Sequence, residues 1–227
     1  YGDVDPDSFG VEITSGSLVG EDQLQGVPQR EAGEDAGSYV VSQGSLDLGG
    51  NYELTVVPGT FDIEPRTLTV TLGFTISAYG EPIAPAVPSV SGLQFDDAVV
   101  GQVETFDGST ITPTDPSILS RSIESVTTAP GAASNYQLDV TPGTHVITGP
   151  TALRIDPAEG PTSGGMPFTI FGSGFGAETP EVQFDGIAAT DVVLEGHDRV
   201  SGVTPPHEAG AVDVTVVTGA GDTVLTQ

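Results

Sequence analysis

Short apolar segments separated by turn residues run along the whole chain, and most of them alternate apolar with polar positions. Examples are Ser38-Tyr39-Val40-Val41, Leu68-Thr69-Val70-Thr71-Leu72 and the series Val212, Val214 and Val216. Such alternation is typical of strands with one buried face, and turn signals every 8 to 12 residues or so are typical of β-sandwiches. A further strand is expected at residues 9–14. The pattern predicts an all-β chain.

Part of this pattern occurs twice. Residues 51–63 return 84 positions later as residues 135–147, with eight of the thirteen positions identical. Tyr79-Gly80-Glu81 likewise repeats the opening Tyr1-Gly2-Asp3, 78 positions on. Matches at nearly constant offsets indicate two copies of one structural module.

The repeat divides the chain into three predicted β-sandwich modules: residues 1–65, a divergent second copy at residues 66–148, and a different module at residues 149–227. The first copy is expected to lack its first strand, because the alternating strand before Tyr79 has no counterpart before Tyr1. In the third module, Asp185-Gly186 predicts a two-residue type I′ hairpin.

The connections between these modules are short. Glu64-Pro65 leads directly into the next strand, and no glycine-serine spacer separates the modules. Short connections that contain proline behave as semi-rigid spacers. The predicted fold is therefore a tandem array of immunoglobulin-like β-sandwich domains in an extended rod.

The charge narrows the possible partners. The chain has 32 acidic residues against five arginines, no lysine and a net charge of -27. Nucleic-acid binding is not expected, because it requires neutralising phosphates with Lys and Arg. We expect a self-repelling monomer with no membrane insertion, since no run of eighteen apolar residues exists. The chain has no cysteine, so disulfides do not contribute. Its start at Tyr1, without a leader, suggests a fragment of a longer polypeptide.

Three carboxylates alternate near the start, at Asp3, Asp5 and Asp7. Several oxygens converging from one loop can hold calcium, so these residues are the metal candidate. The spacing does not continue as an EF-hand, because Ser8 and Thr14 stand at the positions where glycine and glutamate are needed. A solvated acidic turn is the alternative, and no cofactor is required.

Catalytic chemistry has little support. Acidic pairs such as Glu21-Asp22 and Asp96-Asp97 could serve as a glycosidase carboxylate pair, but short loops on small sandwiches rarely build the concave site that this catalysis needs. The histidines, His145, His197 and His207, lie far apart without a second ligand at zinc spacing. His145 stands where the repeat has Phe61, which favours a partly buried structural role. Tyr39, Tyr52, Tyr79 and Tyr136 stand at repeat-equivalent or strand positions, which favours core or corner packing over a sugar-stacking platform. We expect a protein that is not an enzyme.

Two family resemblances fit this organisation. The first copy resembles MBG-type (YGX-type) immunoglobulin-like repeats of bacterial surface proteins, and the third module resembles an IPT/TIG domain. The first likeness lies in Tyr1-Gly2-Asp3, residues 13–18, residues 30–33 and residues 51–61; the second lies in Asp156-Pro157, Gly164-Gly165, residues 169–175, Phe184-Asp185-Gly186 and residues 203–206. Both resemblances imply β-sandwich spacers or binding modules of extracellular proteins.

The leading hypothesis is a non-enzymatic stalk or spacer of a large bacterial cell-surface or secreted adhesin-like protein, which projects a head domain from the cell. Its partners would be other domains of the same polypeptide. A second hypothesis is an adhesive module that binds a glycan or protein ligand, with calcium at Asp3, Asp5 and Asp7 or at Asp96 and Asp97. A third is an accessory region of a secreted hydrolase.

Overall fold

The computed structural model describes residues 1–107 and 118–226. Part of the divergent middle of the second copy, residues 108–117, lies outside this range. The described chain forms two units: one within Tyr1–Val70, Val90–Val103 and Ser125–Val140, the other within Thr71–Ser89, Glu104–Glu124 and Thr141–Gln227. Each unit takes residues from two of the three predicted modules.

The first copy forms a three-stranded antiparallel sheet in the order β1-β2-β3. Its strands are β1 (Gln29–Arg30), β2 (Gly37–Ser42) and β3 (Gly59–Ile63). In β2 the pattern Ser38-Tyr39-Val40-Val41 forms a strand as predicted. Leu46 is the buried apolar side chain among residues 1–65, so this copy has a small core.

The prediction of a strand at residues 9–14 was wrong. The structure assigns no strand there, nor at residues 51–58, whose counterpart in the second copy is a strand. A strand is stabilised by backbone pairing with a neighbour. Neither segment has such a partner among the described residues.

In the described part of the second copy, residues 66–107 and 118–148, there are seven strands and a short 3₁₀ turn, Ala133–Asn135. They form two sheets, in the orders β5-β10-β8-β7 and β6-β4-β9. The strands are β4 (Arg66–Thr71), β5 (Phe74–Ala78), β6 (Ser89–Ser91), β7 (Ala98–Phe106), β8 (Ile118–Ala129), β9 (Tyr136–Thr141) and β10 (Gly143–Thr148). In β4 the predicted alternation buries Leu68 and Val70 completely.

The third module is a sandwich of two four-stranded sheets, in the orders β11-β12-β16-β15 and β14-β13-β17-β18. Eight buried residues, Phe168, Ile170, Phe175, Val182, Phe184, Val200, Val214 and Val216, form its core. The strands are β11 (Thr151–Asp156), β12 (Pro167–Ser173), β13 (Glu181–Phe184), β14 (Ile187–Ala188), β15 (Thr190–Leu194), β16 (Arg199–Val203), β17 (Val214–Thr218) and β18 (Gly221–Leu225).

The predicted hairpin is confirmed. Asp185 and Gly186 join β13 to β14 with φ of 44° and 83°, and Phe184 pairs with Ile187. Both central residues of a type I′ turn need positive φ. The chain is therefore all-β, as predicted. In the described part of the chain, no helix is long and apolar enough to cross a bilayer.

Candidate functional site: the two Tyr-Gly-acid motifs

Each copy of the repeat has a tyrosine that closes one end of the module through a carboxylate. In the second copy, the Tyr136 hydroxyl donates to Asp97 at 2.6 Å and accepts from the Gln94 backbone N–H at 3.0 Å. These bonds satisfy a phenol that is only 8% exposed. The tyrosine thus fixes a loop 39 to 42 residues away in the chain.

The first copy has the same corner. The Tyr52 hydroxyl donates to Asp22 at 2.7 Å and accepts from the Val19 N–H at 2.9 Å. These positions match the second copy at offsets of 84 for the tyrosine and 75 for the other two. The corner packing predicted for the repeated tyrosines is confirmed.

Tyr1 adds a third partner to the second corner. Its hydroxyl donates to Asp97 at 3.0 Å, and its ring packs edge-to-face on Phe95 and Tyr136 at centroid distances of 5.5 and 5.4 Å. Asp97 also accepts from the Gly131 N–H at 2.7 Å. Its carboxylate is therefore a shared acceptor for two tyrosines and a backbone amide.

The titration of these groups follows from that geometry. Hydrogen bonds, above all from Tyr136, hold the pKa of Asp97 below its usual range. Burial, reinforced by the Asp97 carboxylate, raises the pKa of Tyr1 to about 12. Asp97 is thus charged, and Tyr1 is a neutral hydrogen-bond donor, throughout the physiological range.

The next two residues of the motif are also engaged. Gly2 has φ of +83°, and a Cβ there would lie 2.4 Å from the Gln94 side chain. Asp3 forms an ion pair with Arg66 at 3.1 Å. The Tyr1-Gly2-Asp3 motif of the first copy is therefore docked on residues of the second copy.

A second contact supports the same junction. Asn135 is completely buried; its side-chain oxygen accepts from the Ala36 N–H at 2.8 Å, and its side-chain nitrogen donates to Asp35 at 2.7 Å. Asp35 and Ala36 belong to the first copy and Asn135 to the second. The two copies are thus joined by polar contacts at two places.

The repeated motif, Tyr79-Gly80-Glu81, docks in turn on the third module. Gly80 has φ of +84°, and a Cβ there would lie 2.4 Å from the backbone carbonyl carbon of Gly176. A Cβ on Gly176 would lie 2.7 Å from the Tyr79 ring, and a Cβ on Gly219 would lie 2.9 Å from the Tyr79 hydroxyl oxygen. The same three residue types therefore contact the following module twice.

Glu81 completes this second junction. Its carboxylate accepts from the Ala78 N–H at 2.8 Å and lies 3.5 Å from Nδ1 of His197. The acidic residue of each motif thus meets a basic side chain of the next module, Arg66 in one case and His197 in the other.

A buried polar cluster lies elsewhere in the second copy. Arg121 is completely buried, pairs with Glu104, and donates to the Thr75 hydroxyl at 2.7 Å and the Ala84 carbonyl at 3.1 Å. His145, 1% exposed, contacts Thr75 at 2.8 Å through Nδ1. Burial, and then the Arg121 charge, lower its pKa. The burial of His145 agrees with the structural role that the repeat predicts for it.

Two of the three calcium candidates form ion pairs with arginines. Asp3 pairs with Arg66 at 3.1 Å and Asp5 with Arg30 at 2.6 Å. In residues 1–107 and 118–226, no three His, Cys, Asp or Glu side chains form a group that could hold a metal ion. The calcium site at Asp3, Asp5 and Asp7 stays a prediction from the sequence.

Sequence reasoning treated the Tyr-Gly-acid motif as a marker of the repeat and missed its role as a contact. The available signal was that the motif recurs in both copies, 78 positions apart. It could not identify partners such as Asp97, which lies 96 residues from Tyr1.

Family models support both resemblances. The MBG domain (YGX type) matches residues 1–62, and the IPT/TIG domain matches residues 150–227. The chain thus contains an MBG domain and, at its other end, an immunoglobulin-like IPT/TIG domain. The second, divergent copy and the boundaries at residues 65 and 148 stay predictions. A search of the curated proteins found no match.

Several solved structures are similar to parts of the chain. They include an auxiliary nutrient binding protein from Bacteroides thetaiotaomicron (TM-score 0.29, 18% identity, 35% of this chain and 20% of that one). A second is SGBP-B from a complex xyloglucan utilization locus in Bacteroides uniformis (TM-score 0.32, 11% identity, 88% of this chain and 47% of that one). A third is the plexin A4 extracellular region (TM-score 0.34, 16% identity, 71% of this chain and 18% of that one). This chain spans less than half the length of each. The TM-scores are too low to carry a conclusion about function.

Proposed function

We propose that this chain is a non-enzymatic spacer of a bacterial cell-surface or secreted protein, in which Tyr-Gly-acid motifs hold each module against the next. The observation that carries the proposal is the repeated docking: Tyr1-Gly2-Asp3 contacts the second copy, and Tyr79-Gly80-Glu81 contacts the third module. A flexible linker would leave such motifs in solvent.

The chemistry of these contacts suits a spacer. The contacts combine a positive-φ glycine that allows close approach, an aromatic ring and a charged hydrogen bond or ion pair. Holding neighbouring modules in one orientation reduces bending at the junction. The acidic surface keeps such a chain soluble and monomeric through self-repulsion. The expected setting is extracellular, as for the surface proteins whose repeats the first copy resembles.

A distance measurement within one unit tests the junction. Because the chain has no cysteine, Val40→Cys and Ser125→Cys place one spin label on β2 and one on β8, both at exposed positions. We expect a narrow distance distribution by pulsed electron spin resonance. Asp97→Ala should broaden it, because the acceptor of Tyr1 is lost.

Asp22→Ala is the matched control. It removes the corresponding carboxylate of the first copy, which binds Tyr52 of its own module, and should leave the distribution narrow. Equal widths for the Asp97 and Asp22 variants would contradict the proposal. In the full-length protein, deletion of residues 66–148 should shorten the reach without abolishing binding by the head domain.

A further inference from the structure

The first copy contains a cleft of about 640 Å³ between two extended segments that belong to no sheet. One wall is formed by residues 9–18 and the other largely by residues 52–57; Leu24, Leu46 and Leu48 also line it. Of these leucines, only Leu46 is buried. The aliphatic side chains of this copy therefore face a groove that remains open.

The second copy has a strand at the corresponding place. There β4 lies between β6 and β9 and buries Leu68 and Val70 completely and Leu72 to 4% exposure. The repeat aligns Ser91-Gly92, at the end of β6, with Ser15-Gly16, and it aligns β9 with residues 52–57. The two walls of the cleft are therefore the counterparts of the two strands that flank β4.

The glycines show the same difference between the copies. A Cβ on Gly92 would meet the Thr67 carbonyl oxygen at 2.4 Å, whereas nothing lies within 4 Å of one on Gly16. A Cβ on Gly143 would meet the Gly73 carbonyl oxygen at 2.4 Å, whereas nothing lies within 4 Å of one on its counterpart Gly59. In the second copy, the backbone of residues 67–73 occupies both places. In the first copy, both places have space for a backbone segment.

The Tyr1 end of the first copy is aligned with this space. In the second copy, β5 runs parallel to β10, and the ladder ends with the Tyr79 N–H donating to the Thr148 carbonyl at 2.9 Å. In the first copy the Tyr1 nitrogen donates to the Glu64 carbonyl at 2.6 Å, at the same position of the repeat. A residue placed before Tyr1 therefore continues along β3, the edge strand of its sheet.

We infer that the cleft is an acceptor for a β-strand supplied in cis by the polypeptide that leads directly into Tyr1. The strand has three alternating aliphatic side chains at the places of Leu68, Val70 and Leu72, and it then runs along β3 as β5 runs along β10. It is uncharged along most of its length, as residues 67–78 are. Backbone pairing provides its affinity, and the aliphatic side chains set its register. This inference does not depend on the spacer role.

The test adds a copy of residues 66–78 directly before Tyr1 of the 227-residue chain. A control extension has threonine at the counterparts of Leu68, Val70 and Leu72, which keeps length and strand propensity but removes the apolar burial. Hydrogen exchange is followed at the amides of residues 13–15 and 52–57. The first extension should slow exchange there by a factor on the order of 100, and the control extension far less.

A disulfide tests the register. The extension's counterpart of Ile76→Cys should crosslink with Asp62→Cys, because Ile76 pairs with Val146 and Asp62 is the counterpart of Val146. Directly paired strand positions lie within disulfide distance. The counterpart of Phe74→Cys, two positions away, should not crosslink with Asp62→Cys.

Equal protection by the two extensions overturns the inference, and so does crosslinking at the shifted position. Protection of residues 52–57 in the unextended chain that rises with protein concentration also overturns it, because a second molecule would then supply the strand.

Discussion

The glycine of the second Tyr-Gly-acid motif gives the sharpest test of junction packing. Gly80, Gly2 and Gly16 have nearly the same positive φ, at +84°, +83° and +80°. A Cβ on Gly80 would lie 2.4 Å from the Gly176 backbone, and a Cβ on Gly2 would lie 2.4 Å from the flexible Gln94 side chain. A Cβ on Gly16 would have no neighbour within 4 Å. Substitution by alanine therefore separates backbone strain, common to all three, from the clash.

The magnitudes follow from these surroundings. An L-residue in the left-handed region costs about 1 kcal/mol, partly offset by the loss of unfolded-state freedom on replacing glycine. Overpacking against a wall that cannot move adds about 1–3 kcal/mol. We expect Gly80→Ala to destabilise its junction by about 2–4 kcal/mol, and Gly2→Ala and Gly16→Ala by about 1 kcal/mol.

The assay is hydrogen exchange with local resolution, because several modules in one chain do not unfold as a single two-state unit. Gly80→Ala should accelerate exchange at residues 79–81 and around Gly176, and leave the core of the IPT/TIG domain protected. If Gly80→Ala and Gly16→Ala have the same effect, the close approach at Gly176 does not stabilise the junction.

Three further predictions follow. The pKa of His145 lies below its usual 6.5, so below about pH 6.5 the unfolded chain takes up a proton more readily than the folded chain does. The free energy of unfolding should therefore be highest above about pH 6.5 and fall at lower pH. His145→Phe should remove this part of the pH dependence in thermal melts. Arg121→Met should destabilise the second copy by about 3–5 kcal/mol, measured by local hydrogen exchange, because it removes the buried positive charge that pairs with the Glu104 carboxylate. Exposed Arg154→Met should have little effect. A glycan array with and without EDTA should show no binding; binding lost with EDTA would favour the calcium-assisted adhesive hypothesis.

The sequence predicted the fold class because alternation and turn chemistry are local. Asp185-Gly186 specifies its hairpin through two adjacent residues, and the alternation in β4 correctly identifies Leu68 and Val70 as buried. The strand expected at residues 9–14 shows the limit of such patterns. Its alternation is adequate, but a strand also needs a neighbour to pair with, and the flanking strand of the second copy has no counterpart within residues 1–65.

The junctions could be predicted only in part. Repetition of the Tyr-Gly-acid motif indicated that it matters, but pairing Tyr1 with Asp97 requires the three-dimensional position of a loop from another copy. The burial of Arg121 had no local signal either. At its position in β8 it has the pattern of an ordinary polar strand residue, and its burial depends on the Thr75 hydroxyl, the Ala84 backbone carbonyl and the Glu104 carboxylate, which come from other segments.

Small-angle scattering of the 227-residue chain, with calcium and then with EDTA, tests the spacer account most directly. Three modules in tandem predict a radius of gyration of roughly 30 Å, unchanged by EDTA. A radius of roughly 17 Å, the value for one compact globule of this length, or a curve that changes with EDTA, would contradict the account.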